Sequence, residues 1–185
     1  MMRVLVGAVG YRNLRDFSAA FAVLEALAPL DLGEDVALED TSYNPIALVQ
    51  WLQGLPAGER FDRAIFVSSL ERGRAPGAVA AYRWDGDMPP DDQIQQSVTE
   101  AVTGIIALEN TIVIGRYFKG LPSEIVIIEI EPRDHEFGPE LSAPVRAGID
   151  SVCALVRRLA LDPDAIDDLP LSPLPWRHTQ KARSL

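Results

Sequence analysis

The sequence predicts an α/β protein: a three-layer α/β/α sandwich around a twisted, mostly parallel five-stranded sheet. Three observations carry this. Short apolar runs recur along the 185-residue chain, at "RVLVGAV", "DVALE", "RAIFVSSL", "AVAAYRW" and "SEIVIIEIEP". Segments with a helical apolar period lie between most of them. Glycine, proline, aspartate and asparagine punctuate the joins. Helices between strands imply parallel pairing with both sheet faces covered.

The elements follow in order. Arg3–Val9 is a continuous apolar run ending at a glycine turn, as expected of a central strand buried on both faces. Residues 14–27 place Leu14, Phe17, Ala20, Phe21, Leu24 and Leu27 on one helical stripe, and Pro29 closes it. Asp35–Glu39 is the second strand. "DTSYNP" then supplies turn residues, with Pro45 suited to the first position of a helix through "IALVQWLQGL". Arg63–Leu70 is the third strand, broken by "ERGRAPG", and Ala78–Trp84 is the fourth. After the loop "DGDMPPDD", one long helical segment is expected from Asp91 to about Phe118, interrupted at Gly104. "KGLP" ends it before the fifth strand. A last helix covers Val145–Leu161. The sequence therefore divides into one domain, residues 1–161, and a proline-rich arm, residues 162–185, with a basic end in which Trp176 stands beside Arg177.

Composition excludes several functions. The net charge is −10, with 27 acidic against 17 basic residues. A nucleic-acid surface needs a basic stripe to displace counterions, and none precedes the last residues. No apolar run reaches the ~18 residues of a membrane span. The first residues lack the basic start and cleavage site of an export signal. The lone Cys153 lies on an apolar helical face and reads as a small buried hydrophobe. A reducing, cytoplasmic setting is expected.

Ligands of such sheets sit beyond the carboxyl ends of the strands. The informative loops therefore follow Val9, Glu39 and Val67, with a fourth around Gly104. "GAVG" after the first strand lacks the remaining glycine, the acidic partner and the lysine of nucleotide-binding loops, and reads first as a tight turn. A serine–histidine site would need His135 or His178, both in polar or terminal segments. Ser68 and Ser69 lack the elbow motif of a nucleophile. Of the carboxylates, Asp16 and Asp40 are the two at strand-exit loops.

The order of these segments resembles the nickel–iron hydrogenase maturation endopeptidases over roughly residues 3–160. Val9 and Gly10 of "VLVGAVGYRNLRDFSAAFAVLEAL" match that family's first turn, and Asp16 matches the first member of its Asp-Glu pair. Asp40 ends the second strand as in the family, with Thr41 and Ser42 in place of glycines. Pro76 and Gly77, Gly120 and Pro122, and Pro132 fall at the family's later landmarks.

The resemblance implies an enzyme that recognises nickel in the large-subunit precursor and removes a C-terminal peptide. Its metal contacts are a Glu, an Asp and a His. Those positions here are Phe17, Val67 or Ser68, and Gly104. None of the three ligands is retained, so no metal or cofactor is expected. Nickel is held by imidazole and carboxylate donors, which Phe17 and Gly104 lack. Three readings follow. The chain is a non-proteolytic relative that binds a protein, a hydrogenase large subunit or a maturation factor. Alternatively, it is an active endopeptidase with a rearranged carboxylate site, in which Asp16, Asp40 and Glu100 converge on a hard cation. The third is a small-ligand domain using the "GAVG" turn.

Overall fold

A computed structural model describes residues 2–175. The sheet strands are β1 (Val4–Val9), β2 (Val36–Asp40), β3 (Arg63–Ser69), β4 (Val79–Trp84), β5 (Glu124–Ile130) and β6 (Leu171–Ser172). The helices are α1 (Ala19–Leu27), α2 (Pro45–Gly54), α3 (Asp91–Val102), α4 (Leu108–Tyr117) and α5 (Ala143–Leu161). The strand order is β2-β1-β3-β5-β4-β6. β2, β1, β3 and β5 are parallel, β4 is antiparallel to β5, and β6 is parallel to β4. The mostly parallel sheet is as the sequence predicts, with one correction: it has six strands rather than five.

The extra strand comes from the region read as an arm. Pro163–Asp168 forms a 3-10 turn, and Ala165, Ile166 and Leu174 are buried. Leu171 and Ser172 pair with Arg83 and Trp84. Two residues carry no periodicity, so the alternating pattern could not announce this strand. The basic end, including Trp176, Arg177 and His178, lies outside the described residues.

β1 and β3 are buried along their whole length, and β5 from its second residue onward, as the apolar runs at their centres predict. α1 and α5 cover one face, packing on Val4, Val6, Ile65, Val67, Val126 and Ile128. α2 and α4 cover the other, packing on Leu5, Phe66, Ile125 and Ile127. α2 starts where Asn44 Oδ1 accepts from the Ile46 N–H at 2.9 Å, with Pro45 at the first helical position. On α5, Ile149, Cys153 and Val156 recur at helical spacing on the buried side. The Cys153 thiol points at the Val23 carbonyl, and burial pushes its pKa up. This is the small buried hydrophobe that the sequence suggests.

The expected long helix is two helices. The Ile105 N–H reaches back to the Glu100 carbonyl and the Gly104 N–H to the Ala101 carbonyl, while Gly104 adopts φ +84°. That pair of bonds around a left-handed glycine is the Schellman stop, so Gly104 ends α3 instead of interrupting a continuous helix.

Candidate functional site

The strand order reverses at β1: the chain passes from β1 outward to β2, then across to β3. The carboxyl ends of β1 and β3 therefore flank the crevice where ligands of such sheets bind. Four segments meet there: the β1 exit turn, the residues after β3, the α3–α4 connection and the loop after β5.

The β1 turn is closed on itself. The Gly10 N–H donates to Ser42 Oγ at 3.0 Å and the Tyr11 N–H to the Phe17 carbonyl at 3.2 Å. A Cβ at Gly10 would lie 2.5 Å from that same carbonyl, so only glycine allows the approach. These amides have internal partners, which argues against the turn as an anion cradle. The Tyr11 hydroxyl crosses the crevice, accepting from the Ile106 N–H at 3.0 Å and donating to its carbonyl at 2.9 Å. The first turn and the α3–α4 connection are thus clasped together.

Asp16 is fully buried in the 3-10 turn Arg15–Ser18. Its carboxylate accepts from the backbone N–H groups of Arg133 and Ser142 at 2.8 and 2.7 Å, and from the Ser142 hydroxyl at 2.7 Å. Burial raises its pKa, but Ser142 and the two amides outweigh that and hold the carboxyl below the usual range. Asp40 receives the Arg12 guanidinium at 3.1 Å and the Ser42 N–H at 3.0 Å. Glu100 accepts from Asn110 at 2.9 Å and Gln96 at 3.2 Å. The rearranged carboxylate site is therefore corrected: Asp16, Asp40 and Glu100 each serve a separate local bond set. Among the described residues, no group of three or more His, Cys, Asp or Glu side chains is placed to hold a metal.

The three positions that the sequence resemblance sets against the family's ligands have distinct surroundings. The half-buried Phe17 ring meets the edge of His135, with centroids 5.8 Å apart. Ser68 is buried near the end of β3, in register with Val9 on one side and Glu129 on the other. Gly104 is the Schellman glycine. Two of these lack a donor and the third offers a neutral hydroxyl, so the residues do not fit nickel.

Beside Ser68 lies a constellation that the sequence reading missed. Glu129 is fully buried on β5. It accepts from Arg72 at 3.1 Å, Arg74 at 2.7 Å and the Tyr82 hydroxyl at 2.9 Å. The same Arg72 Nη2 reaches Glu109 of α4 at 3.2 Å. Glu131 receives the backbone N–H groups of Arg72 and Gly73. Burial alone would raise the Glu129 pKa; Arg72, then Arg74 and Tyr82, overcome it and bring it below the usual range. Burial and this carboxylate push the Tyr82 hydroxyl well above its ordinary value. The signal was present in "SEIVIIEIEP". Glu129 and Glu131 continue the alternation of Ile125 and Ile127 towards the helix-covered face, and two arginines follow β3. Buried carboxylates at that period need cationic partners.

The chain is similar to several solved maturation peptidases. A hydrogenase 2 maturation peptidase from a Thaumarchaeota archaeon is 26% identical, with 86% of this chain and 98% of that one covered and a TM-score of 0.59. The hydrogenase maturating endopeptidase HybD from Escherichia coli is 20% identical over 84% and 90%, with a TM-score of 0.62. The [NiFe] hydrogenase maturation protease HybD from Thermococcus kodakarensis is 21% identical over 86% and 99%, at 0.57. No protein-family model matches the chain, and no curated protein does. The class is thus an α/β/α protein of the maturation-peptidase fold. By structure, the chain is similar to the nickel–iron hydrogenase maturation endopeptidases and shares their fold. No helix among the described residues is long and apolar enough to cross a membrane.

Proposed function

We propose that this chain is a non-proteolytic binding or assembly factor for the large subunit of a nickel–iron hydrogenase or a related enzyme, acting in the cytoplasm. One observation carries this reading. The residues that the resemblance sets at the family's three ligand positions lack nickel donors, while Glu129, in register with Ser68, is bound to Arg72, as is Glu109. A peptidase that recognises its substrate through nickel has no ligand set here.

A protein-binding role is supported by the rim of the same end. Tyr43 after β2, Ile105 after α3 and Phe137 after β5 are exposed, Phe137 at 85%. Exposed aromatic and branched residues are the usual anchors of protein contacts.

The test mixes the purified chain with a nickel-loaded large-subunit precursor from its own host. Co-elution with the precursor at its full mass is the expected result. A shortened precursor overturns the non-proteolytic reading, and separate elution overturns the partner.

A further inference from the structure

A second cleft lies at the other end of the sheet, before the amino ends of β3 and β5. It has a volume of about 450 Å³, within the usual size of small-ligand sites. Leu52, Phe61 and Leu121 form its apolar wall, and Gln53, Arg60 and Lys119 supply its polar lining.

The cleft carries two cations, Arg60 and Lys119, on a chain of acidic balance. The chain carries a net charge of −10, and Arg3, Arg12, Arg15, Arg63, Arg72, Arg74, Arg83 and Arg158 all face acidic side chains. Arg60 and Lys119 are exposed, and among the described residues neither forms an ion pair. Of the acids next to Arg60 in the chain, Asp62 accepts the Arg3 N–H at 2.8 Å.

Lys119 is also held in an unusual backbone state. It has φ +57°, at the left-handed position that ends α4. Its N–H bonds the Arg116 carbonyl, and the Gly120 N–H bonds the Gly115 carbonyl. This is the same Schellman stop that Gly104 makes for α3, with lysine where glycine is favoured. Gly120 then lets the turn press on α2, since a Cβ there would lie 3.1 Å from the Val49 Cα. The backbone that carries Lys119 is thereby held against α2 beside the apolar wall.

We propose that this cleft binds a small organic carboxylate with an apolar body. The body lies against Leu52, Phe61 and Leu121, and the carboxylate sits between Arg60 and Lys119. The site is separate from the crevice at the carboxyl ends and does not depend on the function proposed for it.

Octanoate, with octan-1-ol as its uncharged counterpart, is the probe, followed by amide NMR titration and calorimetry. Octanoate should perturb residues 52–61 and 119–122 and bind about tenfold more tightly than the alcohol. The variants Arg60→Gln and Lys119→Gly, combined, should weaken octanoate about tenfold and leave the alcohol unchanged. Lys119→Gly keeps the backbone that this turn requires, so the variant should melt no lower than the parent. Equal affinity for acid and alcohol, octanoate binding unaffected by the two substitutions, or no perturbation of these residues would each overturn the proposal.

Discussion

Asp16 and Ser142 stand 126 positions apart and are joined by two hydrogen bonds of 2.7 Å, from the Ser142 N–H and from its hydroxyl. With the Arg133 N–H, they tie the first crevice turn to the segment between β5 and α5. A buried carboxylate accepting amides cannot be truncated without leaving those donors unpaired. Asp16→Ala should cost about 3 kcal/mol in urea unfolding. The pH dependence has a defined sign. The folded pKa lies below the unfolded one, so the contribution is complete above the unfolded value and is lost as pH falls through the folded value. The parent should therefore lose stability on acidification more steeply than Asp16→Ala. Parallel acid limbs for the two would refute this role for Asp16.

Arg72 neutralises two buried carboxylates at once. Arg72→Met should destabilise the fold by about 3–5 kcal/mol, because Glu129 and Glu109 lose their shared cation. Removing Glu129 as well, as Arg72→Met with Glu129→Leu, should recover a large part of that loss. A double-mutant cycle by chemical denaturation should give a coupling above about 1 kcal/mol. Additive losses would show that the pair acts independently.

The parallel core was readable because β1, β3 and β5 each hold a continuous apolar run, at 4–6, 64–67 and 125–128, and are followed by turn residues. β6 was not, since Leu171 and Ser172 are held by their pairing with Arg83 and Trp84 rather than by their own pattern. At the site, Phe17, Ser68 and Gly104 were assigned to ligand positions only by resemblance to a family, and their side chains carry no carboxylate or imidazole. The ion network was not found, because its members come from β4, β5, α4 and the residues after β3. Asp16 was legible as a carboxylate at a strand-exit turn, and the structure gives it a bonding role between segments. Its partners at 133 and 142 are set by tertiary packing that no local pattern encodes.

Tyr11 supplies the clasp between the first turn and the α3–α4 connection, using one hydroxyl for both bonds to Ile106. Tyr11→Phe keeps the ring and removes both. A loss of about 1–2 kcal/mol is expected. The sharper measurement is hydrogen exchange at the Ile106 amide, which should accelerate in the variant while amides in β1 and β3 stay protected. Unchanged exchange at Ile106 would mean that the clasp does not hold the connection closed.

Gly104 separates backbone geometry from metal chemistry. Its φ of +84° disfavours any L side chain, yet a Cβ there would meet no atom within 4 Å. The cost of substitution is then conformational and nearly independent of side-chain size. Gly104→Ala and Gly104→His should each cost about 1–2 kcal/mol, within a few tenths of each other. A much larger loss for His would indicate crowding instead. Gly104→His also places an imidazole at the position that the sequence resemblance sets against the family's histidine. Because Phe17 has no donor and Ser68 has only a hydroxyl, nickel should not raise the melting temperature of this variant. A nickel-dependent rise in Gly104→His that is missing from Gly104→Ala would show that the crevice retains a usable ligand set.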